Sequence, residues 1–154
     1  MKIILSLVLF SAFAISVVAA VVRPAPDFSW QGVGGRLSRM RGQPVVLVIA
    51  KSSESRAFKK QAKILRELYQ QFASKQVIFV AAFQEASARV PSDIPWIVAD
   101  NGAKIAADYG FKDFGLVVIG KDGNIDLQTT KITPPERVRA VLVSAFPVQA
   151  AERK

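Results

Sequence analysis

Five apolar residues in a row, Val45 to Ile49, four of them β-branched, stand between Pro44 and a polar loop. A short unbroken run of this kind predicts a strand buried on both faces, inside a sheet rather than at its edge. Lys51 to Ser53 form the loop, and Glu54 or Ser55 is expected to cap the helix that follows. From Ser55 to Ala73 the apolar residues Phe58, Ala62, Leu65, Leu68, Tyr69 and Phe72 make one core-facing helical stripe. The other face carries Arg56, Lys59, Lys60, Lys63 and Arg66. Gln76 to Phe83 reads as a second buried strand. Strand, helix and strand then form a right-handed βαβ unit with parallel strands.

Around this unit the patterns are weaker but ordered. Asp27 to Trp30 alternates polar and apolar, which suits a short edge strand. Gly32, Gly34 and Gly35 make a turn, and Leu37 to Met40 one helical turn that Gly42 ends. Gln84 to Pro95 is polar and irregular, broken by Pro91 and Pro95, and Trp96 to Ala99 is a short apolar segment. Asp100-Asn101-Gly102 is a turn. Ala103 to Tyr109 is a short helix stopped by Gly110 as a left-handed cap. Leu116 to Ile119, Lys121-Asp122-Gly123 and Asn124 to Gln128 form a hairpin. Thr133 and Pro134 open a last helix with Val138, Val141, Leu142 and Phe146 on its apolar face. The sum is an α/β fold: a mixed sheet flanked by helices in a single domain.

The first twenty residues have a different character. Lys2 precedes an apolar run, Ile3 to Val18, that ends in small residues at Val18-Ala19-Ala20. This is the pattern of a secretory signal peptide over residues 1–20, cleaved near Ala20, and it predicts an exported chain, periplasmic or extracellular. The alternative is a membrane anchor left uncleaved, since the run is about long enough to span a thin bilayer. The folded domain is then expected over residues 24–147, with a basic tail at 148–154.

Composition narrows the chemistry. The 154 residues contain neither cysteine nor histidine. Disulfides, thiol catalysis, imidazole general-base catalysis and zinc sites built on Cys or His are therefore excluded. A calcium or magnesium site of carboxylates remains open, but no D-x-D-x-D-G loop is present, and no cofactor or metal is expected. Net charge is +9, or +8 once Lys2 is removed with the leader. Such a surface favours an anionic partner, and the expected partners are an anionic envelope polymer, a membrane surface or a protein partner. Nucleic acid is disfavoured for an exported chain. Neither the ligand nor the oligomeric state follows from the sequence.

Three segments together resemble thioredoxin-like proteins of the peroxiredoxin-like or thiol-disulfide maturation type. They are Ala25-Pro26-Asp27-Phe28 followed by Leu37 to Gly42; Asp100 to Ala106 with Tyr109-Gly110-Phe111; and Val117 to Ile125, VVIGKDGNI. A narrower likeness lies in Ile119 to Gly123, the final helix and Phe146-Pro147 near a basic end. It is similar to an exported family of unknown function, related to the peroxiredoxin-like domain of sushi-repeat extracellular proteins. That likeness implies a fold and no activity.

The resemblance also places a degenerate redox site. Ungapped pairing of the buried strand puts Ser55 at the first cysteine of C-x-x-C, Phe58 at the second and Lys59 at the basic residue after it. A shift of three gives Ser52 and Ser55 instead. The proline that faces the reactive sulfur in such proteins falls at Gly115, after Phe114. A thiolate works because a helix N-terminus can bring its pKa near neutrality. A serine hydroxyl lies far above that range. A Ser/Lys hydrolase would need Lys51 or Lys59 as base for Ser55, and no G-x-S-x-G elbow exists.

The positive signal is charge. Nine basic residues lie between Arg36 and Arg66, and Glu54 alone opposes them. Arg56, Lys59, Lys60, Lys63 and Arg66 are the candidate anion-binding residues, beside a helix N-terminus. The sequence thus predicts a redox-inactive binding module rather than an enzyme. The alternative is a non-thiol enzyme, or an accessory subunit of an envelope redox system, using the loop around Ser55.

Overall fold

The computed structural model describes residues 23–33, 35–72, 76–86, 89–90 and 92–144. A 3₁₀ turn (Leu37–Arg39) leads into β1 (Val45–Ala50), which is followed by α1 (Arg56–Phe72) and β2 (Ile78–Phe83). Then come β3 (Ile97–Val98), α2 (Gly102–Asp108), the hairpin of β4 (Gly115–Ile119) and β5 (Ile125–Thr129), and α3 (Pro135–Ser144). The sheet order is β3-β2-β1-β4-β5.

β1 occupies the centre, as its unbroken apolar run predicts, and all six of its residues are buried. β2 lies parallel on one side, with Val45 opposite Ile78 and Ala50 opposite Phe83. β4 runs antiparallel on the other, with Val45 opposite Ile119 and Ile49 opposite Gly115. Because successive side chains point to opposite faces, β1 feeds two cores. Val46, Val48 and Ala50 pack with Phe58, Leu65 and Leu68 of α1 and Val138 and Leu142 of α3. Val45, Leu47 and Ile49 pack with Phe28, Trp30, Leu37 and the α2 residues Ile105 and Ala106.

One polar residue joins α1 to the approach of α3. Gln61 is fully buried; its amide nitrogen donates to the Thr133 carbonyl at 3.0 Å, and its amide oxygen accepts from the Thr133 N–H at 2.8 Å. That pair satisfies both backbone groups of Thr133, which is itself buried. Gly110 ends α2 at φ 74°, the left-handed geometry expected of a glycine cap.

Asp27 to Trp30 is not a strand. Ser29 bridges to Arg36 and Trp30 to Ala99, so two adjacent residues pair with different segments and no ladder can extend. Phe28 and Trp30 still reach the core, which explains their apolar spacing. Gln76 lies outside β2 at φ 57°, turning the chain into the strand. Among the described residues no helix is long and apolar enough to cross a membrane. Residues 1–20, Gly34, Phe146, Pro147 and the tail 148–154 lie outside the described residues.

Candidate functional site

The loop after β1 closes on the Ser52 carbonyl. The Ser55 N–H reaches that oxygen at 3.2 Å and the Ser55 hydroxyl donates to it at 2.8 Å. Ser55 stands immediately before α1, and its own carbonyl accepts the Lys59 N–H at 3.1 Å. It therefore starts the helix through its backbone, while its side chain braces the loop behind it. Glu54 takes the Lys59 ammonium at 2.6 Å, and Lys51 pairs with Asp113 at 3.1 Å. Both candidate bases thus hold carboxylates. The Ser55 proton points to a carbonyl, not to an amine, so the geometry of an activated nucleophile is not formed.

Phe58 lies in the first turn of α1 and has no solvent exposure. Its ring meets Phe83 edge-on, with centroids 4.9 Å apart, and Trp96 at 5.4 Å. Trp96 in turn meets Phe79 at 6.0 Å. Aromatic pairs of this geometry contribute about 0.5–1.5 kcal/mol each beyond area burial. The second of the two sulfur positions in the ungapped pairing is therefore a core position. The indole nitrogen of Trp96 is buried with no hydrogen-bond partner among the described residues.

Gly115 opens β4 directly opposite Ile49 of β1. A Cβ built on it would lie 2.5 Å from three ring carbons of Phe111. The Phe111 ring fills the room that a side chain here would need, and a proline ring would need more. No cis peptide bond occurs among the described residues. The segment before β4 is also tied down, because the Gln84 amide donates to the Lys112 carbonyl at 2.9 Å. With the Lys51–Asp113 pair, this fastens the approach to β4 to the loops after β1 and β2.

The basic residues do not form one patch. Arg36 pairs with Asp27 at 2.9 Å, and Leu37 beside it packs into the α2-side core. Arg41 stands by the β4–β5 turn, about where a Cβ on Gly123 would touch it. The cations of α1 lie on the opposite side of the sheet. Arg56, Lys59, Lys60, Lys63 and Arg66 are all exposed there, along the face turned away from Phe58, Leu65 and Leu68. Arg66 pairs with Asp93 at 3.1 Å, while Arg56, Lys60 and Lys63 have no carboxylate in ion-pair range among the described residues.

No protein-family model matches the chain, and no curated protein matches it. Solved structures do. A protein from Chlorobium tepidum, assigned as thiol:disulfide interchange protein DsbE, superposes with a TM-score of 0.66 at 23% identity, over 80% of this chain and 96% of that one. The peroxidoxin BcpB of Mycobacterium tuberculosis gives 0.62 at 17% identity, over 84% and 97%. A thiol:disulfide interchange protein from Bacteroides sp. gives 0.66 at 12%, over 87% and 95%. The chain has a thioredoxin-like fold. These identities establish the fold alone; the narrower likeness to an exported family rests on the residues quoted for it.

Within the thioredoxin-like frame, Ser55 sits at the start of α1, Phe58 in its first turn and Gly115 at the head of the strand antiparallel to β1. Ser52 lies three residues back in the loop. Among the described residues no three carboxylates gather as metal ligands. No sequence pattern marks Ser92 and Asp93. They line one cleft with Lys59, Ala62, Lys63 and Arg66. Their segment has no periodicity, and the only visible signal was one acid in a turn facing a basic helix.

Proposed function

We propose that the chain is an exported, redox-inactive thioredoxin-like module that acts by binding an anionic partner. The fold is that of proteins whose solved relatives are thiol-disulfide and peroxide enzymes, yet the sequence holds no sulfur that could do that chemistry. The observation that carries the binding reading is the exposed cation face of α1, where Arg56, Lys60 and Lys63 lack carboxylates among the described residues. Cations left without internal partners remain available to an external anion. Export is supported by the leader pattern of residues 1–20.

The test has two arms. Insulin reduction and peroxide consumption by the purified protein are expected to stay at the buffer rate. Retention on a polyanion resin is expected for the wild type and lost when Lys59, Lys60 and Lys63 are changed to glutamate. Turnover above buffer would favour an enzyme over a binding module. Retention unchanged by the triple substitution would leave the α1 face an ordinary solvated surface.

A further inference from the structure

The cations of α1 are arranged along a line rather than around a point. At 1.5 Å per residue, Arg56 to Arg66 span about 15 Å of helix. Successive 100° steps keep Arg56, Lys59, Lys60, Lys63 and Arg66 within one third of its circumference. At the C-terminal half of this stripe lies the cleft between α1 and the turn at Ser92 and Asp93. Its volume is 220 Å³. Asp93 is the one carboxylate in its lining, and it pairs with Arg66 at 3.1 Å with both side chains well exposed. An exposed pair of this kind contributes little and exchanges readily for another anion.

The surroundings select among polyanions. The large apolar residues exposed among those described are Val33, Val98 and Val143, and none lies on α1. A bilayer-binding face would set apolar anchors beside its cations. Among the described residues no exposed aromatic side chain stands beside these cations as a stacking platform for unpaired bases. A stripe of cations with no large apolar side chain exposed beside it among the described residues fits a hydrophilic chain with repeated charges. We propose, resting on the anionic-partner reading above, that the partner is a linear anionic glycan. It lies along α1 and enters the cleft by displacing the Asp93 carboxylate from Arg66.

In this arrangement Asp93 is an internal anion standing in for one charged group of the glycan. Removing its charge leaves Lys63 and Arg66 to the ligand. Removing the charge of Asp108, which pairs with Lys104 on α2, makes the same change in net charge on the other side of the sheet.

The experiment uses protein purified after expression of the full-length chain and a size-defined heparin oligosaccharide as probe, titrated at several salt concentrations. Asp93→Asn is expected to bind about three- to fivefold more tightly, the worth of one exposed ion pair, and Asp108→Asn to match wild type. Lys63→Gln is expected to lower the slope of log K against log salt by about one, as one released counterion requires. Circular dichroism confirms that each variant is folded. Equal gains in Asp93→Asn and Asp108→Asn, or an unchanged slope in Lys63→Gln, would overturn the cleft while leaving the anionic-partner reading in place. No heparin binding by wild type, or tighter binding to phosphatidylglycerol vesicles than to heparin, would overturn the glycan itself.

Discussion

Phe111 and Gly115 share one space. The Phe111 ring stands where a Cβ on Gly115 would have to go, at 2.5 Å from three of its carbons. Phe111 is buried, and Gly115 is paired to the central strand through Ile49, so neither can step aside freely. Gly115→Ala is therefore expected to cost about 1–3 kcal/mol of unfolding free energy, the range for overpacking a filled core. Urea denaturation measures it. Adding Phe111→Leu to Gly115→Ala should cost less than the sum of the two single changes, since the two sites are in contact. Strict additivity would show that the ring is not what excludes the side chain.

The aromatic cluster makes a second prediction. Placing sulfurs at the two positions of the ungapped pairing, by Ser55→Cys with Phe58→Cys, removes a fully buried ring that packs on Phe83 and Trp96. A loss of about 3–5 kcal/mol is expected, as for other large-to-small core changes. Ser55→Cys alone, at a half-buried loop position, should cost under about 1 kcal/mol. Insulin reduction by the double variant should remain at the buffer rate, because one of its two sulfurs enters the core. A stable, active double variant would show that the site is degenerate in name only.

Gln61 supplies a third. Its amide satisfies both backbone groups of Thr133 inside the core. Gln61→Ala strands them, at a cost of about 2 kcal/mol or more. Gln71, whose side chain accepts from Arg139 at the surface, is the matched control. Gln71→Ala is expected to change stability by less than about 0.5 kcal/mol. Thermal or urea unfolding of the two variants decides the point.

A pH dependence follows from Asp126. Burial, and then the neighbouring Asp122 charge, push its carboxyl above the ordinary value of 3.8. Hydrogen bonds from the Asn124 backbone and side chain push Asp122 the other way. A raised folded-state pKa means that the fold favours protonated Asp126. Its contribution is fully present below the unfolded value and is lost as pH rises through the folded one. Asp126→Asn should therefore raise Tm at neutral pH, with the gain shrinking below about pH 4. A gain that persists unchanged at acid pH would assign the effect to something other than this ionisation.

Much of this was legible in the sequence, and the rest had definite physical reasons for being hidden. Val45 to Ile49 announced a central strand because only burial on both faces tolerates an unbroken apolar run. The α1 stripe, the Gly110 cap and the β4–β5 hairpin were equally plain. Gln61 is polar and stands outside the apolar stripe named from the sequence, yet Phe58, Gln61, Leu65, Leu68 and Phe72 are spaced three and four apart, so it completes the buried stripe. Asp27 to Trp30 alternates like a strand, but which segments it meets depends on distant Arg36 and Ala99. Gly115 could be read only as a missing proline, since the ring that requires glycine arrives from Phe111 in the fold. The nine-cation run was read as one feature, and the sheet divides it. Asp93 carried only the signal of a lone acid in an irregular segment, and folding set it beside Arg66.

The central claim is the proposal that the protein works by binding through the α1 face and not through the loop that follows β1. Backbone amide shifts of the 15N-labelled protein, followed during titration with a heparin oligosaccharide, test it most directly. The account predicts saturable shifts at Lys60, Lys63, Ser92 and Asp93, with Ser52 and Gly115 unmoved. Shifts centred on Ser52, Ser53 and Gly115, with Lys60 and Lys63 silent, would contradict it.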